Sequence, residues 1–244
     1  MKQFISKKHL FSVAMILASM QVCAQSGTSG SAPERAVAVD LGLPSGTKWA
    51  NMNVGATKPE EFGLYFAWGE TVGYANKQLK DVEVLDEAHF FNWEHYKWCS
   101  SKYYGEDNIT KYCTDSARGK VDNKTTLDLE DDAAYVNWGS SWRMPTRAEV
   151  VELFENTKVV PVYKGVLGLI FVSKSNGNSI FLPATGFREK NCASTGSPDG
   201  YYWTSTVASY YSASAHIFNI NTYGPRGFDI RERYYGLTIR PVHR

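Results

Sequence analysis

The side chains that could carry out chemistry in this chain are few and widely spaced. His95, His216 and His243 lie far apart, and the sequence contains neither His-x-x-x-His nor Cys-x-x-Cys spacing for zinc. It also lacks the Gly-x-Ser-x-Gly, Walker and dinucleotide-binding fingerprints. We therefore expect a protein that is not an enzyme and that uses no cofactor.

One acidic cluster could be taken for a metal site. Asp128, Glu130, Asp131 and Asp132 stand close together in the sequence, and carboxylate oxygens are the ligands that hard cations prefer. Acidic residues are also favoured at the start of a helix, where the helix dipole is positive. We interpret the cluster as the solvated beginning of a helix and predict no metal site.

The cysteines suggest one disulfide. Cys99 and Cys113 bracket a segment rich in Tyr, Ser and Gly. A bridge between them would close a short loop and stabilise the fold by roughly 3 kcal/mol in the chain-entropy model. Two free thiols are the alternative. Cys192 has no neighbouring histidine or aspartate, which is typical of an unreactive thiol.

The first 24 residues have the pattern of a secretory signal. Three lysines near the start precede a short apolar run over residues 10–20, and small residues stand at 22–24. The apolar run is about half of the roughly 20 residues that a bilayer-spanning helix needs. We predict cleavage after Ala24 and no transmembrane segment. The remaining chain is expected in the periplasm, on the cell surface or in the medium.

The predicted exported chain is close to neutral. The whole sequence has 26 Lys and Arg against 25 Asp and Glu, and the signal holds three of the lysines and no acid, which leaves a formal charge of −2. No basic run of the kind that nucleic acid or anionic lipid requires is present. We expect no nucleic-acid partner.

Local patterns predict a Ser/Gly-rich flexible linker at 25–35 and one domain over 36–244. Alternating apolar residues around a Pro-Ser-Gly turn predict a hairpin over 37–54. Residues 71–124 show little periodicity and are predicted to be mostly loop. Short strands, including a hairpin with its turn at 175–178, are predicted between 168 and 242.

Two helices complete the predicted fold, at about 128–137 and 146–156. Thr146 and Glu149 have the spacing of a capping box, in which each side chain hydrogen-bonds the other residue's backbone N–H. Two helices among short antiparallel strands predict an α+β fold.

Residues 207–235 have the composition of a recognition surface. Segment 208–214 has the Tyr/Ser mixture of binding loops. After it, apolar and polar residues alternate, so the polar ones are expected on one exposed strand face. A solvated face without a ligand is the alternative. The candidate ligand-binding residues are Tyr210, Tyr211, Ser212, His216, Asn219, Asn221, Arg226, Asp229, Arg231, Arg233 and Tyr234.

Seven motifs that occur in order across residues 37–242 resemble the Fibrobacter succinogenes major paralogous domain, a family of exported Bacteroidetes proteins. They are VDLGLPSGTKWA at 39–50, NVGA at 53–56, FAWGET at 66–71, WRMPT at 142–146, NSIFLPA at 178–184, YWTS at 202–205 and GLTIRPV at 236–242. The tryptophans in and beside these motifs are expected in the core: Trp49, Trp68, Trp138, Trp142 and Trp203.

The resemblance implies a C-type lectin-like fold, related to formylglycine-generating-type domains, whose C-terminal strands and loops present a variable face. Some relatives are targets of diversity-generating retroelements, and the family brings no known catalytic activity. The chain is thus expected to be an exported binding or surface-display protein that presents this face to a protein or glycan. A structural envelope or fimbria-associated subunit is the alternative.

Overall fold

The computed structural model describes residues 30–75, 77–79, 82–84, 89–101, 105–224 and 227–243. Within these residues the chain forms mostly antiparallel strands with two α-helices, which confirms the predicted α+β class. None of the helices found there is long and apolar enough to cross a membrane. The predicted signal at 1–24 lies outside the described residues.

The helices are α1 at Ala133–Trp138 and α2 at Arg147–Asn156. In chain order, the strands are β1 Ala38–Val39, β2 Lys48–Ala50, β3 Lys77–Leu79, β4 Val82–Val84, β5 Trp142–Arg143, β6 Thr157–Tyr163, β7 Leu167–Ser173, β8 Ser179–Pro183, β9 Phe187–Glu189, β10 Cys192–Ser194, β11 Asp199–Val207, β12 Ser214–Asn221, β13 Gly227–Glu232 and β14 Val242–His243.

The longer strands form two three-stranded sheets, β6-β7-β8 and β11-β12-β13, in which neighbouring strands are antiparallel. A third sheet, in the order β1-β2-β14-β5, joins the N-terminal hairpin to the C-terminus. The hairpins predicted over 37–54 and around 175–178 are both present. The C-terminal strand thus closes the fold against its first hairpin.

The sheet β11-β12-β13 separates two apolar clusters because its side chains alternate between its faces. Tyr202 and Phe218 are paired across the strands, stack at 4.9 Å and belong to one cluster. Their neighbours Trp203 and Ile217 are also paired and belong to the other cluster. All four side chains are fully buried. The tryptophans expected in the core are all buried, as predicted.

The second predicted helix is confirmed, and the first is shorter than predicted. A 3-10 turn at Leu129–Asp131 precedes α1, and Asp132 caps the N-terminus of α1. The interpretation of this acidic start as solvated is wrong for Asp131 and Asp132, which are both buried. The Asp132 carboxylate accepts backbone N–H groups of Ala134, Tyr135 and Met144, and these bonds offset part of the cost of burying it. Burial still outweighs them and raises the pKa of Asp132 to about 6.

Strand β6 was not predicted from the sequence. It contains Pro161, which cannot donate to a ladder and is tolerated because β6 is the edge of its sheet. The apolar segment 63–69 makes isolated bridges through Tyr65 and Phe66 and forms no longer strand. Ordered contacts begin before the predicted domain start at 36, since Gly30 N–H donates to the Val136 carbonyl at 2.9 Å.

The capping box of α2 also anchors the preceding strand. Glu149 accepts the Thr146 N–H at 2.8 Å, and its carboxylate forms an ion pair with Arg143 of β5. Burial alone would raise the pKa of Glu149, but the hydrogen bonds from Arg143 and Thr146 outweigh it and hold the pKa below its usual value.

We expect Glu149→Gln to lower the free energy of unfolding by about 2 kcal/mol at neutral pH, because a charge-assisted hydrogen bond and part of a helix cap are lost. A depressed carboxyl pKa stabilises the fold above the unfolded-state pKa, near 4.5, and this contribution disappears as the pH falls through the folded-state value. Urea unfolding should show the two proteins converging in acid. Exposed Glu155→Gln, on the same helix, is the control. A difference that persists at low pH would contradict this account.

Candidate functional site

The outer part of the sheet β11-β12-β13 carries four of the candidate residues on one face. Asn219 and Asn221 alternate along β12, and Asp229 and Arg231 alternate along β13. The register pairs Ala215 with Arg231 and Ile217 with Asp229. The polar residues therefore lie on the same face of the sheet as the buried Ala215 and Ile217. Asp229 is exposed and the other three are partly buried.

Arg231 lies among three aromatic side chains on this face. Its guanidinium carbon is 5.3 Å from the ring centre of Tyr201, 5.8 Å from that of Tyr235 and 5.9 Å from that of Phe187. Phe187 also packs edge-on against Tyr201 at 5.6 Å. We call Phe187, Tyr201, Arg231 and Tyr235 the Arg231 cluster. Cation–π attraction holds the guanidinium against the rings.

Among the residues that the structure describes, the guanidinium of Arg231 has no hydrogen-bond or ion-pair partner. Asp229 is on the same face, but its carboxylate accepts the backbone N–H of Ile230 at 2.9 Å. An arginine normally uses its five N–H donors on carboxylates, carbonyls or water. The cluster therefore fixes a cation while leaving its donors available to a ligand.

An aromatic rim extends the cluster. Tyr234 stacks on Tyr235 at 4.8 Å, and Trp93 packs against Tyr234 at 5.0 Å. The Tyr234 hydroxyl is 3.5 Å from a Glu189 oxygen, and burial together with its neighbours raises the pKa of Tyr234. Trp93 was not a candidate because it lies in the segment predicted as loop. The density of aromatic residues over 89–98 was the available signal.

Asn221 is already engaged within the sheet. Its amide donates to Asp199 at 2.7 Å, and the other Asp199 oxygen accepts the Ser197 hydroxyl at 2.9 Å. Asn219 lies opposite Tyr201 of the Arg231 cluster in the strand register. Asn219 is therefore better placed than Asn221 to contact a ligand beside the cluster.

Two candidate residues are structural and cannot be ligand contacts. Arg233 is fully buried and donates to the Tyr96 hydroxyl at 2.8 Å and to the carbonyls of Lys111 and Ser212 at 3.1 Å each. Ser212 is also fully buried, and its hydroxyl accepts the N–H of Thr114 at 2.9 Å. The structure therefore places both of these candidate ligand-binding residues inside the fold, where long-range contacts satisfy their polar groups.

The remaining candidates lie elsewhere. His216 is on the opposite face of β12, beside exposed Tyr210, and their rings are 6.3 Å apart. Tyr211 donates to Glu106 and lies under Arg118 at 4.6 Å. Burial and the Glu106 carboxylate raise the pKa of Tyr211 to about 12. Arg226 lies outside the described residues.

The acidic cluster surrounds a lysine rather than an open cavity. Lys111 Nζ is 2.7 Å from Asp128 and 2.6 Å from Asp131, which also accepts the Tyr112 hydroxyl at 2.6 Å. Burial opposes the charge on Lys111, but the hydrogen bonds to these carboxylates outweigh it and raise the pKa of Lys111. The ammonium group stands where a bound cation would have to be, so this is an ion-pair network.

A pocket of about 500 Å³ lies elsewhere, lined in part by Phe62, Leu64 and Lys164. Its described lining includes no histidine, cysteine or aspartate, and its Glu61 accepts both the N–H and the hydroxyl of Thr57. A pocket of this volume is large enough to hold a small molecule. None of the candidate residues contributes to it, so it does not connect with the strand face.

The predicted bridge between Cys99 and Cys113 is not formed. Of the cysteines in the described residues, Cys99, Cys113 and Cys192 are all free thiols. Cys99 donates to the Ser101 carbonyl at 3.0 Å, and Cys113 donates to the Asp115 carbonyl at 3.0 Å. Each sulfur thus points to a carbonyl of its own loop.

No family model, no curated protein and no solved structure matches the chain. A function has to be argued from the geometry of the Arg231 cluster and its surroundings.

Free thiols make a direct chemical prediction. In denaturant without reductant, an alkylating reagent should modify Cys99 and Cys113 separately, as peptide mass spectrometry would show. Under native conditions, exposed Cys192 should react before buried Cys113, because access limits the reaction. A peptide containing Cys99 linked to Cys113 would contradict the structure and restore the disulfide prediction.

Proposed function

We propose that this chain is an exported, non-catalytic binding or surface-display protein that presents the Arg231 face to a protein or glycan. The observation that carries this proposal is the Arg231 guanidinium, which three aromatic rings hold in place while no described residue accepts a hydrogen bond from it. Aromatic residues and arginine contribute disproportionately to binding energy at recognition surfaces. A fixed side chain also loses little entropy on binding.

The proposal includes a C-type lectin-like fold of the major paralogous family. This part of the proposal is supported by where the seven family-like motifs lie relative to the face that carries Arg231. Trp49, Trp68 and Trp203 belong to the motifs and are fully buried. Arg231 lies outside every motif and reaches the surface. A fixed core below a changeable face would suit a target of retroelement diversification. A genomic locus with a reverse transcriptase and a matching template repeat would test that part.

One observation favours the alternative, a structural envelope or fimbria-associated subunit. The edge strand β6 exposes 51% of Val160 and 70% of Tyr163, although Pro161 lies between them. An apolar edge strand can pair with another chain. Self-association measured by light scattering would favour this function, particularly if no ligand is found.

The binding proposal predicts that a screen of glycans and of host and bacterial proteins yields a ligand sensitive to the Arg231 cluster. Arg231→Ala and Tyr201→Ala should each weaken binding about tenfold or more, because a central contact is lost. Arg147→Ala is the matched control, since Arg147 stacks at 4.9 Å on Phe228 of the opposite face. Surface plasmon resonance measures all three, with thermal unfolding to verify folding. Equal losses in the control would rule out the assigned face.

A further inference from the structure

We infer that the ligand of the Arg231 cluster is an acidic saccharide, recognised through a carboxylate or sulfate group on a sugar. This inference rests on the proposed binding function and specifies its ligand. A guanidinium is planar and presents parallel N–H donors that match the two oxygens of an oxyanion. In the Arg231 cluster, Tyr201, Tyr235 and Phe187 hold the guanidinium group.

The state of the donors points to an anion. The partly buried Arg231 has lost some of its hydration, and the described part of the chain supplies no acceptor in return. Arg233, only two residues further along the chain, has acceptors for its guanidinium from four residues. Arg231 therefore differs from Arg233 in having N–H donors that no described residue uses, and an oxyanion ligand would require such donors.

Acidic side chains near the Arg231 cluster repel a negatively charged ligand, so removing one of them tests whether the ligand is acidic. Asp229 shares the face, and Glu189 lies near the rim beside Tyr234. Glu232 follows Arg231 on β13 and thus projects from the other face. A single direct contact with Arg231 has to outweigh these longer-range repulsions. Removing the Asp229 charge should consequently strengthen binding of an acidic ligand and leave a neutral ligand unaffected.

The surroundings of Arg231 favour a sugar over a protein surface. Large contiguous apolar patches exposed on a surface often mark protein–protein interaction sites. Among the described residues, the exposed large apolar side chains do not include any on β11, β12 or β13. Apart from the partly buried Phe187, the residues around Arg231 on this face are polar or amphipathic, namely Tyr201, Tyr235, Asn219 and Asp229. These groups suit hydroxyl-rich ligands, and the guanidinium needs no metal ion to bind an oxyanion.

The test uses matched probes that differ only in charge. Oligogalacturonate is compared with its methyl ester for the carboxylate, and a κ-carrageenan oligosaccharide, which has no uronic acid, with its neutral desulfated form for the sulfate. Binding of the full exported chain is measured by isothermal titration calorimetry, with and without a calcium chelator. The variants are Arg231→Ala, Arg231→Lys, Asp229→Asn and the control Arg147→Ala, each verified by thermal unfolding.

We expect at least one charged probe to bind about tenfold or more tightly than its neutral partner, from the strength of charge-assisted hydrogen bonds. Arg231→Ala should abolish that preference, and Arg231→Lys should restore it only in part, because lysine lacks the planar fork. Asp229→Asn should raise the affinity, and neither Arg147→Ala nor chelation should matter. The preferred pair distinguishes carboxylate from sulfate.

Two results would overturn the inference in different ways. If the charged and neutral probes bind equally, or if an acidic peptide is the only ligand, binding stands but the acidic saccharide is wrong. If neither these probes nor the wider glycan and protein screen gives binding that depends on Tyr201 or Arg231, the proposed function fails with it.

Discussion

A guanidinium group that is cut off from water must find hydrogen-bond acceptors inside the protein, and Arg240 finds them on two separate parts of the chain, the first hairpin and β8. It donates to Asn53 at 2.8 Å, to the Ala50 carbonyl of β2 at 3.0 Å and to the Phe181 carbonyl of β8 at 2.9 Å. Burial lowers the pKa of Arg240 to about 10, so the group remains charged at neutral pH. This one cation joins the C-terminal segment to the first hairpin and to the β6-β7-β8 sheet.

The candidate site depends on this closure and on a second buried arginine. β13 ends at Glu232, and a turn closed by the Tyr235 N–H on the Glu232 carbonyl redirects the chain. Arg233 enters the interior at that point and contacts the face of Trp68 at 4.7 Å. The same turn places Tyr235 beside Arg231. Two arginines separated by a single residue thus have opposite roles, one holding the loops together and one facing outward.

The sequence allowed the locally determined parts of the structure to be predicted. The capping box of Thr146 and Glu149 located α2, and the alternation along β12 and β13 located the face that carries Asn219 and Arg231. Both patterns depend on residues that are near each other in the chain. The strand β6 was missed because Pro161 is tolerated only at a sheet edge, and edge position is a property of the whole fold.

Burial of polar residues was the main feature that the sequence could not reveal. Ser212 and Arg233 lie in a segment with the composition of a binding loop. Their hydrogen-bond partners Thr114 and Tyr96, however, come from a distant segment of the chain. Trp93 reaches the rim of the site from the same segment. Such contacts are long-range, so no local pattern distinguishes an arginine that binds a ligand from one that binds the protein. The aromatic neighbours of Arg231 likewise come from β9, β11 and the turn after β13.

The central claim is that Arg231 is available at the surface whereas Arg233 and Arg240 serve the fold. Modification of the native protein with phenylglyoxal, followed by peptide mass spectrometry, tests this directly, with exposed Arg35 as the internal reference. The account predicts reaction at Arg231 and Arg35 and protection of Arg233 and Arg240 until the protein is unfolded. An unreactive Arg231, or an Arg233 that reacts as readily as Arg35 in the native state, would contradict it.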